Sequence, residues 1–140
     1  MTNIKLDYSS LEKAVSTLSI ALKSYEANSN SLSPADRDIM RDGVIHRFEY
    51  TFELAWKTIK RYLEIYGLEK ADTLTNRDLF RIGAEQGLIE DPSSWFNYMI
   101  DRNRTSHVYD VAVANDVFRT AVSFLKDAAY LLDQLKKSVT

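Results

Sequence analysis

The sequence predicts an all-α protein, an up-and-down bundle of three long helices plus one or two short helices, homodimeric. Three observations carry this expectation. Four glycines and two prolines are all that interrupt 140 residues, too few breaks for a succession of short strands. Apolar side chains make up 45% of the chain and recur at helical spacing over long segments. The last of these segments is apolar over nearly half its circumference, more than one bundle seam uses, and the surplus points to a second copy of the chain.

Each element follows in turn. Leu11, Ala14, Val15, Leu18, Ala21, Leu22 and Tyr25 fall on one narrow arc, the mark of a helix with one buried side. A turn-rich stretch from Asn28 ends at Ser33 and Pro34, a cap followed by proline at the first helical position, and a long helix runs from there, roughly Ala35 to Tyr66. Its Val44, Ile45, Phe48, Phe52, Ala55, Trp56, Ile59, Tyr62, Leu63 and Tyr66 fill one broad arc. Tyr50 and Leu54 fall outside it, which predicts a second contact surface. Gly67 ends that helix, and Thr75 to Asp78 resembles a capping box opening a short helix to about Glu85, closed by Gly87. Asp91 and Pro92 start another, carrying Trp95, Phe96, Tyr98, Met99 and Ile100. The broad-faced final helix extends from about Val111 to Lys137. With no internal repeat or low-complexity tract, residues 1–140 read as a single domain.

Eighteen basic against twenty acidic side chains give a net charge of −2, so no global basic field attracts nucleic acid or an anionic membrane, and any RNA contact must be local. The absence of cysteine removes disulfide scaffolds, thiolate metal sites and cysteine nucleophiles. The first ten residues carry two charges and no apolar run, so neither a signal peptide nor a spanning helix is expected, and the cytoplasm is the default location.

The densest polar cluster lies between the last two helices, Asp101-Arg-Asn-Arg-Thr-Ser-His-Val-Tyr-Asp110. On an unbroken helix Arg102 and His107 would stand about 140° apart. Thr105, Ser106 and His107 are poor helix formers, however, and predict a break near Arg104 that lets both side chains turn inward. If His107 to Tyr109 is extended, alternation places imidazole and phenol on one side. Asp101 and Asp110 either orient Arg102 and His107 or cap helices, and Asn103 and Arg104 complete the supporting set.

Arg102, four residues, His107, one residue, Tyr109 is the R-x4-H-x-Y pattern of the HEPN family of helical ribonucleases and nucleotide-associated proteins, which this chain resembles. Arg47-Phe-Glu-Tyr-Thr-Phe-Glu-Leu-Ala-Trp-Lys57 is similar to the second-helix signature of the HepT-like branch, also known as the substrate-binding partner of a minimal nucleotidyltransferase. The resemblance implies a metal-independent endoribonuclease with no cofactor, built across a homodimer so that each chain supplies one Arg102 and one His107. It also implies the toxin half of a toxin–antitoxin pair, silenced when a nucleotidyltransferase attaches AMP to Tyr109. The other implied role is a non-catalytic subunit that binds substrate or nucleotide for that transferase.

The residues suit the first role. A histidine with a pKa near ~6.5 can take the 2′-hydroxyl proton or return one to the leaving oxygen, and an arginine fork can hold the phosphate. Tyr109 has a phenol able to attack an activated phosphate, or is simply a packed ring with a bonded hydroxyl. A second match to the spacing, Arg41 and His46, lies within one continuous helix and reads as a surface histidine on the charged face with Glu49, Glu53 and Lys60. Glu49 and Glu53 either face Arg102 or Arg104 across the bundle or form a solvated face with Lys57 in register. Phe48, Phe52, Trp56, Trp95 and Phe96 read as packing residues.

Overall fold

Capping chemistry sets the helix boundaries. In the computed structural model, which describes residues 5–67 and 71–139, α1 spans Ser9–Asn28, α2 Pro34–Ile65, α3 Asn76–Glu85, α4 Pro92–Asn103 and α5 Val111–Val139. Residues 1–4, part of the N-terminal stretch read above as lacking a leader, lie outside the described residues. The Ser33 hydroxyl accepts the Asp36 amide and Pro34 follows as the first helical residue. Thr75 accepts from Asp78 at the start of α3, and Asp91 accepts from Ser93 at the start of α4. Gly87, at φ +79°, ends α3: the Leu88 amide reaches the Gly83 carbonyl at 2.9 Å and the Gly87 amide that of Ala84 at 3.0 Å, a Schellman pair.

The three long helices and two short ones are those the periodicity predicts. Helix α2 is the spine, packed against α1, α5 and α4. At its centre Phe48, Phe52, Phe80, Trp95 and Phe124 are fully buried, their rings meeting tilted or edge-on at centroid separations of 5.3–6.4 Å.

The wide apolar face of α5 has an intramolecular explanation. Ala114, Val117, Ala121, Phe124, Ala128, Leu131 and Leu135 are buried because α5 touches α1, α2 and α4 at once. Val111 and Val122 stay exposed at its margin. The breadth of that face therefore no longer argues by itself for a second copy. Tyr50 likewise finds its partner within the chain, sharing a hydrogen bond with Thr17 of α1, and Leu54 packs against the core. No helix among the described residues is long and apolar enough to cross a membrane.

Candidate functional site

The chain breaks where weak helix formers accumulate. Helix α4 gives way after Asn103 to a 3-10 turn, Arg104–His107, and Asp110 then starts α5. Asp110 is a cap: its Oδ1 accepts the amides of Ala112 at 2.9 Å and Val113 at 3.4 Å. Asp101 is a brace, receiving Arg104 at 3.1 Å on one oxygen and the Thr120 hydroxyl of α5 on the other. Arg104 also reaches Asp116 of α5 at 3.2 Å, and these two carboxylate hydrogen bonds raise its pKa above the ordinary value. The carboxylates of Asp101 and Asp110 make no hydrogen bond or ion pair with the side chains of His107 or Arg102 among the described residues, although the Asp110 amide donates to the His107 carbonyl at 3.1 Å.

Glu49 and Glu53 face Arg102. The Arg102 Nε lies 2.6 Å from Glu53 Oε1, and Nη1 lies 4.0 Å from Glu49 Oε2. The short contact is an ion pair with poor aim, because the buried Nε–H has no aligned acceptor. Glu53 also accepts from the Trp56 indole at 3.3 Å and sits 3.8 Å from Lys57, so the solvated pairing with Lys57 coexists with the arginine contact. Glu49 receives the Thr105 hydroxyl, which ties the 3-10 turn to α2. In one chain, then, two carboxylates counter the Arg102 charge.

His107 and Tyr109 meet, but not by alternation along an extended strand. His107 ends the 3-10 turn and Val108 has φ −72°, ψ −5°, a turn conformation, so the imidazole and phenol come together by chain reversal. Their rings stand edge-on with centroids 6.0 Å apart and Nδ1 3.4 Å from the phenol oxygen. Both are exposed, Tyr109 at 82%, which removes the packed-ring alternative for this tyrosine within the chain. No hydrogen bond or ion pair joins Arg102 to His107 among the described residues. The second motif match separates as expected: Arg41 is buried between Asp38 and Asp42, while His46 is exposed, edge-on to Tyr50.

Asn103, exposed at the end of α4, borders with Arg102 a cavity of about 150 Å³ floored by Phe52 and Phe80 and walled by Trp56 and Met99. A larger cleft of about 550 Å³ lies at the other end of α4, where the Arg77 guanidinium stacks 4.1 Å from the Phe96 ring centre. None of the residues predicted for the site lines that cleft. Sequence reasoning missed Thr105, Thr120 and Asp116 as ties. Only Thr105 carried a signal, as a hydroxyl inside the predicted break. Among the described residues no three His, Asp or Glu side chains converge as a metal site needs.

Residues 6–137 match the family described as nucleotidyltransferase substrate binding protein like. The chain belongs to this family. Within it the HepT-like character is direct: over 103 residues, 72% of this chain and 70% of its relative, it is 35% identical to a probable ribonuclease HepT of Haemophilus influenzae. A solved Haemophilus influenzae structure, reported to reveal the fold of a substrate binding domain of a nucleotidyltransferase, aligns with a TM-score of 0.87 at 29% identity, covering 93% of this chain and 99% of that one. A crystal structure from Thermus thermophilus aligns with a TM-score of 0.69 at 32% identity, covering 89% and 98%. This HepT-like member of the substrate-binding family thus has its helical fold in common with proteins spanned almost end to end by the match.

Proposed function

We propose that this HepT-like protein is the toxin half of a toxin–antitoxin pair in the cytoplasm, a metal-independent endoribonuclease. In this reading Arg102 and His107 line a groove between two copies of the chain, and a minimal nucleotidyltransferase partner neutralises the protein by placing AMP on Tyr109. The observation that carries the proposal is the polar turn between α4 and α5. It presents His107 and Tyr109 to solvent in mutual contact, one short turn beyond Arg102, with no apolar side chain buried in the way. The likeness to a probable ribonuclease supports the same chemistry.

The step follows from the groups present. One His107 imidazole takes the 2′-hydroxyl proton as the 2′-oxygen bonds to phosphorus. The bond to the 5′-oxygen then breaks as a second imidazole, protonated, gives that oxygen a proton. Arg102 stabilises the charge gathering on the phosphoryl oxygens. A single chain holds one imidazole at this turn and an arginine clasped by glutamates, so a two-copy groove supplies what one chain lacks. Anionic substrate would compete with Glu49 and Glu53 for the guanidinium.

The test is purified protein with RNA and EDTA, beside His107→Ala and Arg102→Ala. Cleavage by wild type and its loss in both variants is expected; intact RNA with wild type, or equal cutting by the variants, ends the nuclease reading. Intact mass after co-expression with the transferase should rise by whole AMP units, absent in Tyr109→Phe. Light scattering should give twice the chain mass, and a monomer would remove the shared groove.

The second reading, a non-catalytic subunit that binds substrate or nucleotide for the transferase, is favoured by one observation: Glu49 and Glu53 neutralise Arg102, as an arginine held for positioning would be. It replaces the first if RNA survives.

A further inference from the structure

The chain has two histidines, and the cleavage chemistry needs two imidazoles yet draws both from copies of His107. The other histidine, His46, stands on the exposed side of α2. Its Nδ1 lies 3.9 Å from Glu49 Oε1, one turn along the helix, and its ring stands edge-on to Tyr50 with centroids 5.4 Å apart. Tyr50 is itself held by the bond between its hydroxyl and Thr17 of α1, so the imidazole leans on an anchored ring. The Nε2 of His46 makes no hydrogen bond among the described residues. The second oxygen of Glu49 receives the Thr105 hydroxyl and lies 4.0 Å from Arg102 Nη1. One carboxylate thus links the His46 imidazole to the guanidinium and to the turn that carries His107, and its two contacts keep Nδ1 and Nη1 within about 10 Å of each other. A carboxylate at Nδ1 with Nε2 left open is how an imidazole is oriented for proton transfer. Contacts of this kind are often long before substrate binds and close up in the complex. His107, by contrast, has the Tyr109 phenol 3.4 Å from its Nδ1.

We propose that His46 is the general acid of the cleavage, with Glu49 as its orienting residue. The proposal rests on the nuclease reading and changes one part of it: the second imidazole is His46 of the chain whose Arg102 holds the phosphate, in place of a second copy's His107. Two copies are then no longer needed to bring two imidazoles to one phosphate. His107 accepts the 2′-hydroxyl proton as the 2′-oxygen bonds to phosphorus. The bond to the 5′-oxygen breaks, its electron pair stays on that oxygen, and protonated His46 delivers the Nε2 proton to it. The products are a 2′,3′-cyclic phosphate and a 5′-hydroxyl, with His107 left protonated and His46 neutral until exchange with water restores both. The charged and titratable groups around His46 are Glu49 and Tyr50 on its own helix, Asp42 one turn earlier, which is bonded to Arg41, and Arg102 of α4 beyond Glu49.

The experiment compares ordinary RNA with RNA carrying sulfur in place of the scissile 5′-oxygen, each cut in EDTA by full-length wild type, His46→Ala and His46→Gln. A thiolate leaves without a proton, so the sulfur substrate needs no general acid. On ordinary RNA the wild-type rate should fall as pH rises, because the acid must be protonated, and that alkaline limb should vanish on the sulfur substrate. His46→Ala and His46→Gln should both cut ordinary RNA about 10²–10³-fold more slowly, the size of a lost proton transfer, and the sulfur substrate within about tenfold of wild type. Both should keep the wild-type circular dichroism, since the replaced side chain is exposed. Ordinary RNA cut by His46→Ala within about threefold of wild type overturns the proposal, being far less than a proton transfer is worth. So does an equal loss on both substrates, which a residue that only binds phosphate would give. Full activity in His46→Gln, which can hydrogen-bond but has no proton to give, overturns it as well. Wild type that leaves RNA intact ends the nuclease reading and this one together, whereas cleavage indifferent to His46 ends this one alone.

Discussion

Replacing Phe124 by alanine, beside His107→Ala as its counterpart, measures how far the core and the candidate site are separate. Phe124 is fully buried and its ring centre lies 5.3 Å from that of Phe48, 5.9 Å from Phe52, 5.6 Å from Trp95 and 5.2 Å from Tyr98. Truncating a buried phenylalanine costs about 3–5 kcal/mol through lost transfer energy and the cavity left behind. Four aromatic neighbours, each also packed against at least one other ring, resist collapse into the space and place this site near the upper end. Unfolding entropy of about 2.1 cal/mol/K per residue amounts to roughly 0.3 kcal/mol/K for a chain of this length, so about 5 kcal/mol lowers Tm by roughly 17 °C. His107 is exposed on a turn that buries nothing, and its removal should cost within about 0.5 kcal/mol, less than about 2 °C. Scanning calorimetry of both variants at one protein concentration keeps any association constant. A Tm loss below about 5 °C for Phe124→Ala, or an equal loss for His107→Ala, would refute the reasoning, since both magnitudes come from the same scale.

Three further outcomes follow from local geometry. Asp110→Ala strips the cap from α5 and should lower urea-measured stability by about 1 kcal/mol, with Asp110→Asn restoring most of it. Gly87→Ala should cost about 1–2 kcal/mol from backbone strain alone, because an added Cβ meets nothing within 4 Å while φ stays at +79°; Gly87→Asn, which tolerates that conformation, should lose less. Burial and the hydrogen bond to Asp127 raise the Tyr98 pKa. The folded chain therefore keeps a proton that the unfolded chain sheds above about pH 10, so this contribution is full below that pH and is lost as pH climbs past it. Tyr98→Phe should flatten the alkaline fall in stability measured by urea titration, and an unchanged slope would count against the Tyr98–Asp127 bond.

Helix order was legible because caps and periodicity agree. Ser33 with Pro34, Thr75 with Asp78, and Asp91 with Pro92 each place a hydrogen-bonding side chain where an apolar repeat begins. The break at Arg104 was legible for the same reason, from propensity. What periodicity could not show was who covers a face. The broad arc of α5 looks the same whether covered by a second copy or, as here, by α1, α2 and α4. Tyr50 and Leu54 posed the same ambiguity, and α1 and the core resolve it for them. At the site, the identity of the charged groups was readable but their pairing was not. Glu49 and Arg102 are far apart in sequence, and only the crossing of α2 by α4 decides that they meet. The contact of His107 with Tyr109 was expected for one backbone shape and arises from another.

The Arg104–His107 turn is lashed down by Thr105 to Glu49 and by Arg104 to Asp101 and Asp116, and it buries no side chain of its own. Folding therefore exerts little grip on Ser106 and His107, which are exposed and take no part in those ties. Substitution can redraw the solvent-facing chemistry of this loop while the helices go on assembling unchanged, so one scaffold can carry different polar surfaces at the same place.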